Sequence, residues 1–167
     1  MEQTFDATLL DLTRTRLLRD YPGQIDACLD LVNDTELWWR PNEQANAVGN
    51  LLLHLAGSNR YHLERVIAGR DVGRDRDLEF AARDGYSKAQ IREVWNHALR
   101  VTGEVLNGLE AFQMMQVTDR SGKAMTYGQI LLHVTHHNAA HMGQIVWITK
   151  MLHPGAVDDI WMKMRGR

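Results

Sequence analysis

The segment Thr126-Tyr-Gly-Gln-Ile-Leu-Leu-His133-Val-Thr-His136-His137-Asn-Ala-Ala-His141-Met-Gly-Gln144-Ile-Val-Trp-Ile-Thr-Lys-Met-Leu152-His-Pro-Gly155 decides the fold. Thr126 and Gln129 stand in capping-box spacing, and His153-Pro154-Gly155 stops whatever helix they start. Ile130, Val134, Ile145 and Ile148 fall on one face of that helix. His133, His137 and His141, spaced i, i+4, i+8, fall on the same face. Imidazoles inside an apolar stripe would be buried, and buried polar groups need partners. A metal ion is the simplest single partner for two or three of them; the alternative is a pair of core histidines bonded to each other.

Outward from this segment, the rest of the chain also reads as helix. Only Pro22, Pro41 and Pro154 interrupt it. From Phe5 to about Val32, Leu9, Leu12, Leu17, Ile25, Leu29 and Val32 recur at helical spacing, with Tyr21-Pro22-Gly23 predicted to kink or split the segment. Asn46 is a candidate cap for a second helix with the stripe Val48, Leu51, Leu52, Leu55, His62 and Val66, ending at Gly69. Residues 70–86 are charged and aperiodic and read as a long loop, of a length that is often functional. Ser87 and Gln90 form a second capping box, opening a helix through Ile91, Val94, Trp95, Ala98, Val101, Val105 and Leu109. A turn at 118–122 follows. Strand signals are weak. The expectation is one all-α domain over residues 1–167, a four-helix bundle whose long second connection points away from a simple up-down-up-down course.

The composition narrows the function. A chain of 167 residues with 44% hydrophobic and 24% charged residues is ordinary for a soluble globular protein. A net charge of −2 gives no electrostatic reason to bind nucleic acid or an anionic membrane. No apolar run approaches the roughly 20 residues of a membrane span. Cys28 is the only cysteine and the N-terminus lacks signal-peptide character, so a cytoplasmic location is expected. Cys28 itself reads as a buried, inert thiol. Neither a phosphate-binding loop nor a dinucleotide fingerprint is present, and Glu64 and Glu104 lack the histidine three residues on that di-iron bundles use.

His137 and His141 at i, i+4 can bring two ring nitrogens to one ion at about 2.0–2.1 Å. A catalytic ion needs a third ligand from another element and an open position. His54, midway along the second helix and followed by the small Gly57 and Ser58, is the candidate; alone it would read as a half-exposed helix histidine. His133 is read as a partner behind the ligands, His136 as a helix-edge residue, His62 as core-facing or hydrogen-bonded, and His97 and His153 as surface or terminal. Gln144 is placed to hydrogen-bond a ligand or, more plainly, a histidine nitrogen. Trp38 and Trp39 read as a cap on one bundle end.

The stretches Trp38-Trp-Arg-Pro41, Asn46-Ala-Val-Gly-Asn50-Leu-Leu-Leu-His54-Leu-Ala-Gly57 and His133 to Lys150 resemble the DinB-like (YfiT-type) superfamily of metalloproteins, and 73–80 resembles the Arg/Asp-rich loop of a subgroup of unknown function. The resemblance implies an up-down-down-up four-helix bundle, often a homodimer, with a divalent ion on His54, His137 and His141. It departs at Ala140 and Met142, where many relatives carry histidine and arginine. It further implies an enzyme using a low-molecular-weight thiol on a small-molecule substrate; metal-activated hydrolysis on the same ligands and a non-catalytic metal-stabilised dimeric module are the alternatives, and zinc or nickel is the expected ion. Asn50 and Gln144 are expected near the open position.

Overall fold

In the computed structural model, residues 4–156 are described. The helices are α1 (Phe5–Thr15), α2 (Tyr21–Leu31), α3 (Val48–Asn59), α4 (Arg76–Ala81), α5 (Lys88–Asn107) and α6 (Tyr127–Leu152). Two π-helical stretches join or extend them: Arg16–Asp20 links α1 to α2, and Arg60–Ile67 continues α3. The first lies where Pro22 is predicted to disturb the helix. Tyr21 N–H reaches back to the carbonyl of Arg16, five residues away, just before the residue that has no N–H to give.

The capping boxes form as the sequence requires. Ser87 accepts from Gln90 N–H while Gln90 accepts from Ser87 N–H, and Thr126 and Gln129 do the same for α6. At α3 the expectation fails. The helix starts one residue later than an Asn46 cap would place it, on Ala47, and Asn50 reaches back to accept from Ala47 N–H at 3.2 Å. A two-stranded antiparallel ladder, β1 (Val117–Thr118) with β2 (Met125–Thr126), brackets the predicted turn; too short to show alternation, it left no strand signal in the sequence.

Two apolar clusters make the core. One joins α2, the first part of α3, the first part of α5 and the last part of α6, through Ile25, Leu29, Leu51, Leu55, Trp95, Ile145 and Ile148. The other joins α1, the π stretch after α3, the end of α5 and the start of α6, through Leu10, Leu17, Leu63, Val66, Leu106, Ile130 and Val134. Each arm passes from one cluster to the other, and the order gives its direction. The first arm and α6 run one way while α3 and α5 run the other, an up-down-down-up bundle. Because α3 and α5 are parallel, residues 68–87 must return along the bundle, and α5 alone is about 30 Å long at 1.5 Å per residue. That return is why the connection is long. It is also not the featureless loop expected from 70–86: Asp75 caps the short helix α4 by accepting from Leu78 N–H, and α4 packs on α3.

Between the clusters lies a polar level. Asn59 and Asn138 exchange amide hydrogen bonds of 2.7 and 3.3 Å, both side chains buried. The stripes differ from expectation accordingly. On α1 and the π stretch after it the inward face is Leu10, Thr13 and Leu17, with Leu12 half exposed; on α6 the buried face includes Ile130, Leu131, Val134, Asn138, Met142, Ile145 and Ile148. The histidines flank that face instead of sitting in it: His133 is exposed, and His137 and His141 are half-buried. Trp38 closes one end, its indole N–H donating to the Tyr86 carbonyl at 3.0 Å and its ring lying so close to Gly49 that a Cβ there would collide with it. Trp39 packs beside it on the same core cluster.

Candidate metal centre

α3 and α6 run antiparallel, and at the polar level they bring three histidines together. His54 Nε2 is 3.0 Å from His137 Nε2, which is 3.1 Å from His141 Nε2. One nitrogen from each residue lies within 4.8 Å of the others, the arrangement of a three-histidine metal site. No helix among the described residues is long and apolar enough to cross a membrane.

The outer nitrogens explain why the inner ones converge. His54 is buried, and its Nδ1–H donates to Glu79 Oε2 at 2.9 Å. Glu79 is held in turn by Arg74, whose Nε and Nη2 donate to its two oxygens at 2.7 and 2.8 Å. Burial would raise the Glu79 carboxyl, but the hydrogen bonds from Arg74 and His54 outweigh it and hold the group below the usual carboxylate range. An ionised carboxylate can only accept, so the His54 proton sits on Nδ1 and the lone pair on Nε2. His141 is set the same way, its Nδ1–H donating to Gln144 Oε1 at 3.0 Å. His137 Nδ1 is buried with no partner. Burial, with His141, His54, His133 and His62 nearby, holds its pKa down to about 3; burial lowers His141 as well. Three imidazoles thus converge on one point through Nε2, with the Nδ1 protons of His54 and His141 turned outward. A single N–H cannot serve both close contacts, whereas a divalent cation satisfies all three nitrogens. The donor set fits such an ion.

The surroundings differ from the sequence reading at Asn50 and in the 70–86 connection. Asn50 does not face the triad. It is fully buried, its amide donating to the carbonyls of Glu79 and Ala82 and its oxygen accepting from Ala47 N–H and Arg40, so every bonding position is used, the two donors pinning the 70–86 connection. Gln144 is at the site but serves His141. Glu79, Arg74 and Phe80, whose ring lies 4.5 Å from that of His54, come from a connection that periodicity could not place. The charged run 73–80 in an overlong loop was the only signal for them. Gly57 permits their approach, since a Cβ there would collide with Glu79 Oε1. A cleft of about 660 Å³ lies on α3, α5 and this connection, lined by Leu53, Gly57, Arg74, Glu79, Tyr86 and Val94; no triad histidine lines it. A smaller cavity of about 280 Å³ lies beside Gln144 and Trp147.

Residues 5–163 match DUF1572, a family of proteins of unknown function. The chain belongs to this family. Among solved structures it is similar to a DinB-like protein from Bacillus cereus (TM-score 0.67, 16% identity, covering 91% of this chain and 95% of that one). It is likewise similar to a conserved protein from Enterococcus faecalis (0.67, 15%, 84% and 94%) and to a DinB-like protein from Bacillus subtilis (0.63, 13%, 84% and 92%). No curated protein matches the sequence. At these identities the likeness speaks for the fold: this DUF1572 chain is a DinB-like helical bundle.

Proposed function

We propose that this DUF1572 protein is a cytoplasmic metal-dependent enzyme in which His54, His137 and His141 hold a divalent ion of the zinc or nickel class, and that it transfers a small thiol to a small-molecule substrate. The observation that carries this reading is the convergence of three Nε2 atoms whose outer nitrogens are held, for His54 and His141, by hydrogen-bond acceptors. Such an ion supplies Lewis acidity, lowering the pKa of the acid it binds. Glu79 and Gln144 keep the His54 and His141 rings oriented and basic toward that ion, and Arg74 keeps Glu79 ionised. The Glu79 carboxylate is committed to His54 and Arg74, so it is not free to take a proton from water. That favours a thiol, whose pKa lies far below that of water before any metal lowers it, over hydrolysis. The reading includes a homodimer, as the family resemblance implies; a monomeric mass by light scattering would remove that part.

Elemental analysis of tag-free protein tests the site. Near-stoichiometric metal is expected, lost in His54→Ala, His137→Ala and His141→Ala and kept in His136→Ala. Protein that stays metal-free after loading with Zn²⁺ or Ni²⁺ overturns the reading. With the site loaded, an electrophilic aryl halide and a small thiol should give thiol- and metal-dependent turnover; ester hydrolysis needing no thiol would instead make it a hydrolase.

A further inference from the structure

Two more histidines meet across the same pair of arms. His62, in the π stretch Arg60–Ile67, lies eight residues after His54; His133 lies eight before His141. Because α3 and α6 run antiparallel, these offsets bring them face to face, His133 one turn before His137. Their ring centroids are 4.9 Å apart, tilted by 52°. The three pairs within the triad stand at 4.9, 5.0 and 4.5 Å. The second pair is therefore in ring contact at a centroid separation within the range of the triad pairs.

The protonation also matches. His62 Nδ1–H donates to the Ser58 carbonyl at 2.9 Å, with Ser58 Oγ 3.4 Å away, which leaves the lone pair on Nε2. Burial lowers the His62 pKa, so the ring is neutral in the ordinary range. His133 is exposed and neither of its nitrogens has a hydrogen-bond partner among the described residues. Its ring stacks on that of His137, 5.8 Å between centroids and 21° between planes, so the two groups of histidines are continuous. Two imidazoles in ring contact, one with its Nε2 lone pair left open and the other exposed at the surface, suit a borderline-soft divalent cation.

We propose that His62 and His133 form a second divalent-cation site, for Zn²⁺, Ni²⁺ or Cu²⁺, beside the three-histidine centre. With two protein ligands it keeps more open positions and binds more weakly than the triad, so its ion exchanges with solvent and can take an anionic group of a bound molecule. The site does not depend on the triad being loaded.

Equilibrium dialysis of tag-free protein against rising Zn²⁺, read by elemental analysis, tests it. The wild type should take up a second equivalent at higher free Zn²⁺ than the first. His62→Gln and His133→Gln should each abolish that second equivalent and keep the first, His136→Gln should keep both, and His54→Ala should lose the tight equivalent and keep the weak one. His133 is exposed, so its variant keeps the test valid if the half-buried His62 variant does not fold. A wild type that saturates at one equivalent, or a second equivalent that survives in either His62→Gln or His133→Gln, overturns the site. Loss of the weak equivalent alone would leave the triad reading intact, and a His54→Ala protein that kept its tight ion would overturn the triad without touching the second pair.

Discussion

Glu79 and Gly57 act as one unit at the residue scale. The carboxylate reaches His54 only because residue 57 has no Cβ, and it stays ionised because Arg74 donates twice to it. Gly57→Ala is expected to push Glu79 and Arg74 off His54 and weaken Zn²⁺ affinity by on the order of 10–100-fold, the usual effect of losing a ligand's hydrogen-bond partner. Competition with a chromophoric chelator reads this directly, and unchanged affinity would show that Glu79 does not orient the ligand. Protons should matter in the metal-free protein. His137 titrates near 3 in the folded chain against 6.5 for the free side chain, so below pH 6.5 the unfolded chain binds a proton that the folded one refuses. Stability from this residue is complete above that pH and is lost as pH falls toward 3. The urea midpoint of chelator-treated protein should therefore drop between pH 7.5 and 5, and drop less in His137→Gln; a midpoint that rises on acidification contradicts the burial argument.

At the scale of elements, ends and breaks were the legible features. Ser87 with Gln90 and Thr126 with Gln129 announce α5 and α6, and the structure puts both caps where the pattern does. Arg14 was not legible. Its Nε and Nη2 donate to the Leu106 carbonyl, and Nη2 to that of Leu109, satisfying the end of α5 from a residue more than 90 positions away. Arg14→Ala is expected to cost about 1–3 kcal/mol of stability, as lost charge-assisted bonds do, with Zn²⁺ affinity unchanged; chemical denaturation and metal titration of the same variant check both halves. The stripe on α1 was misread because Leu9, Leu10 and Leu12 are all apolar. Periodicity cannot choose among faces that differ by one residue, and only the neighbouring arms choose Leu10.

At the scale of the whole molecule, an ion at the triad would tie α3 to α6 at the polar level between the two apolar clusters. Binding to the folded state alone stabilises it by about 2.7 kcal/mol at a hundredfold excess over Kd, or roughly 5–10 °C in Tm for a chain of this size. Zn²⁺ should raise Tm by that order in the wild type and hardly at all in His54→Ala; equal shifts in both would place the stabilising ion elsewhere. The sequence by itself determined the long arms, the caps of α5 and α6, the split near Pro22 and the i, i+4 pairing of His137 with His141, because each rests on contacts within a few residues. The family resemblance implied His54 as their partner, and residue spacing alone left it open. Only the tertiary structure decided that the three Nε2 atoms meet, that Asn50 pins a connection instead of facing the site, and that Glu79 stands behind His54. Those facts depend on two parallel arms needing a return path, and on where along α3 that path passes. A charged, aperiodic segment carries no period from which such a position can be read.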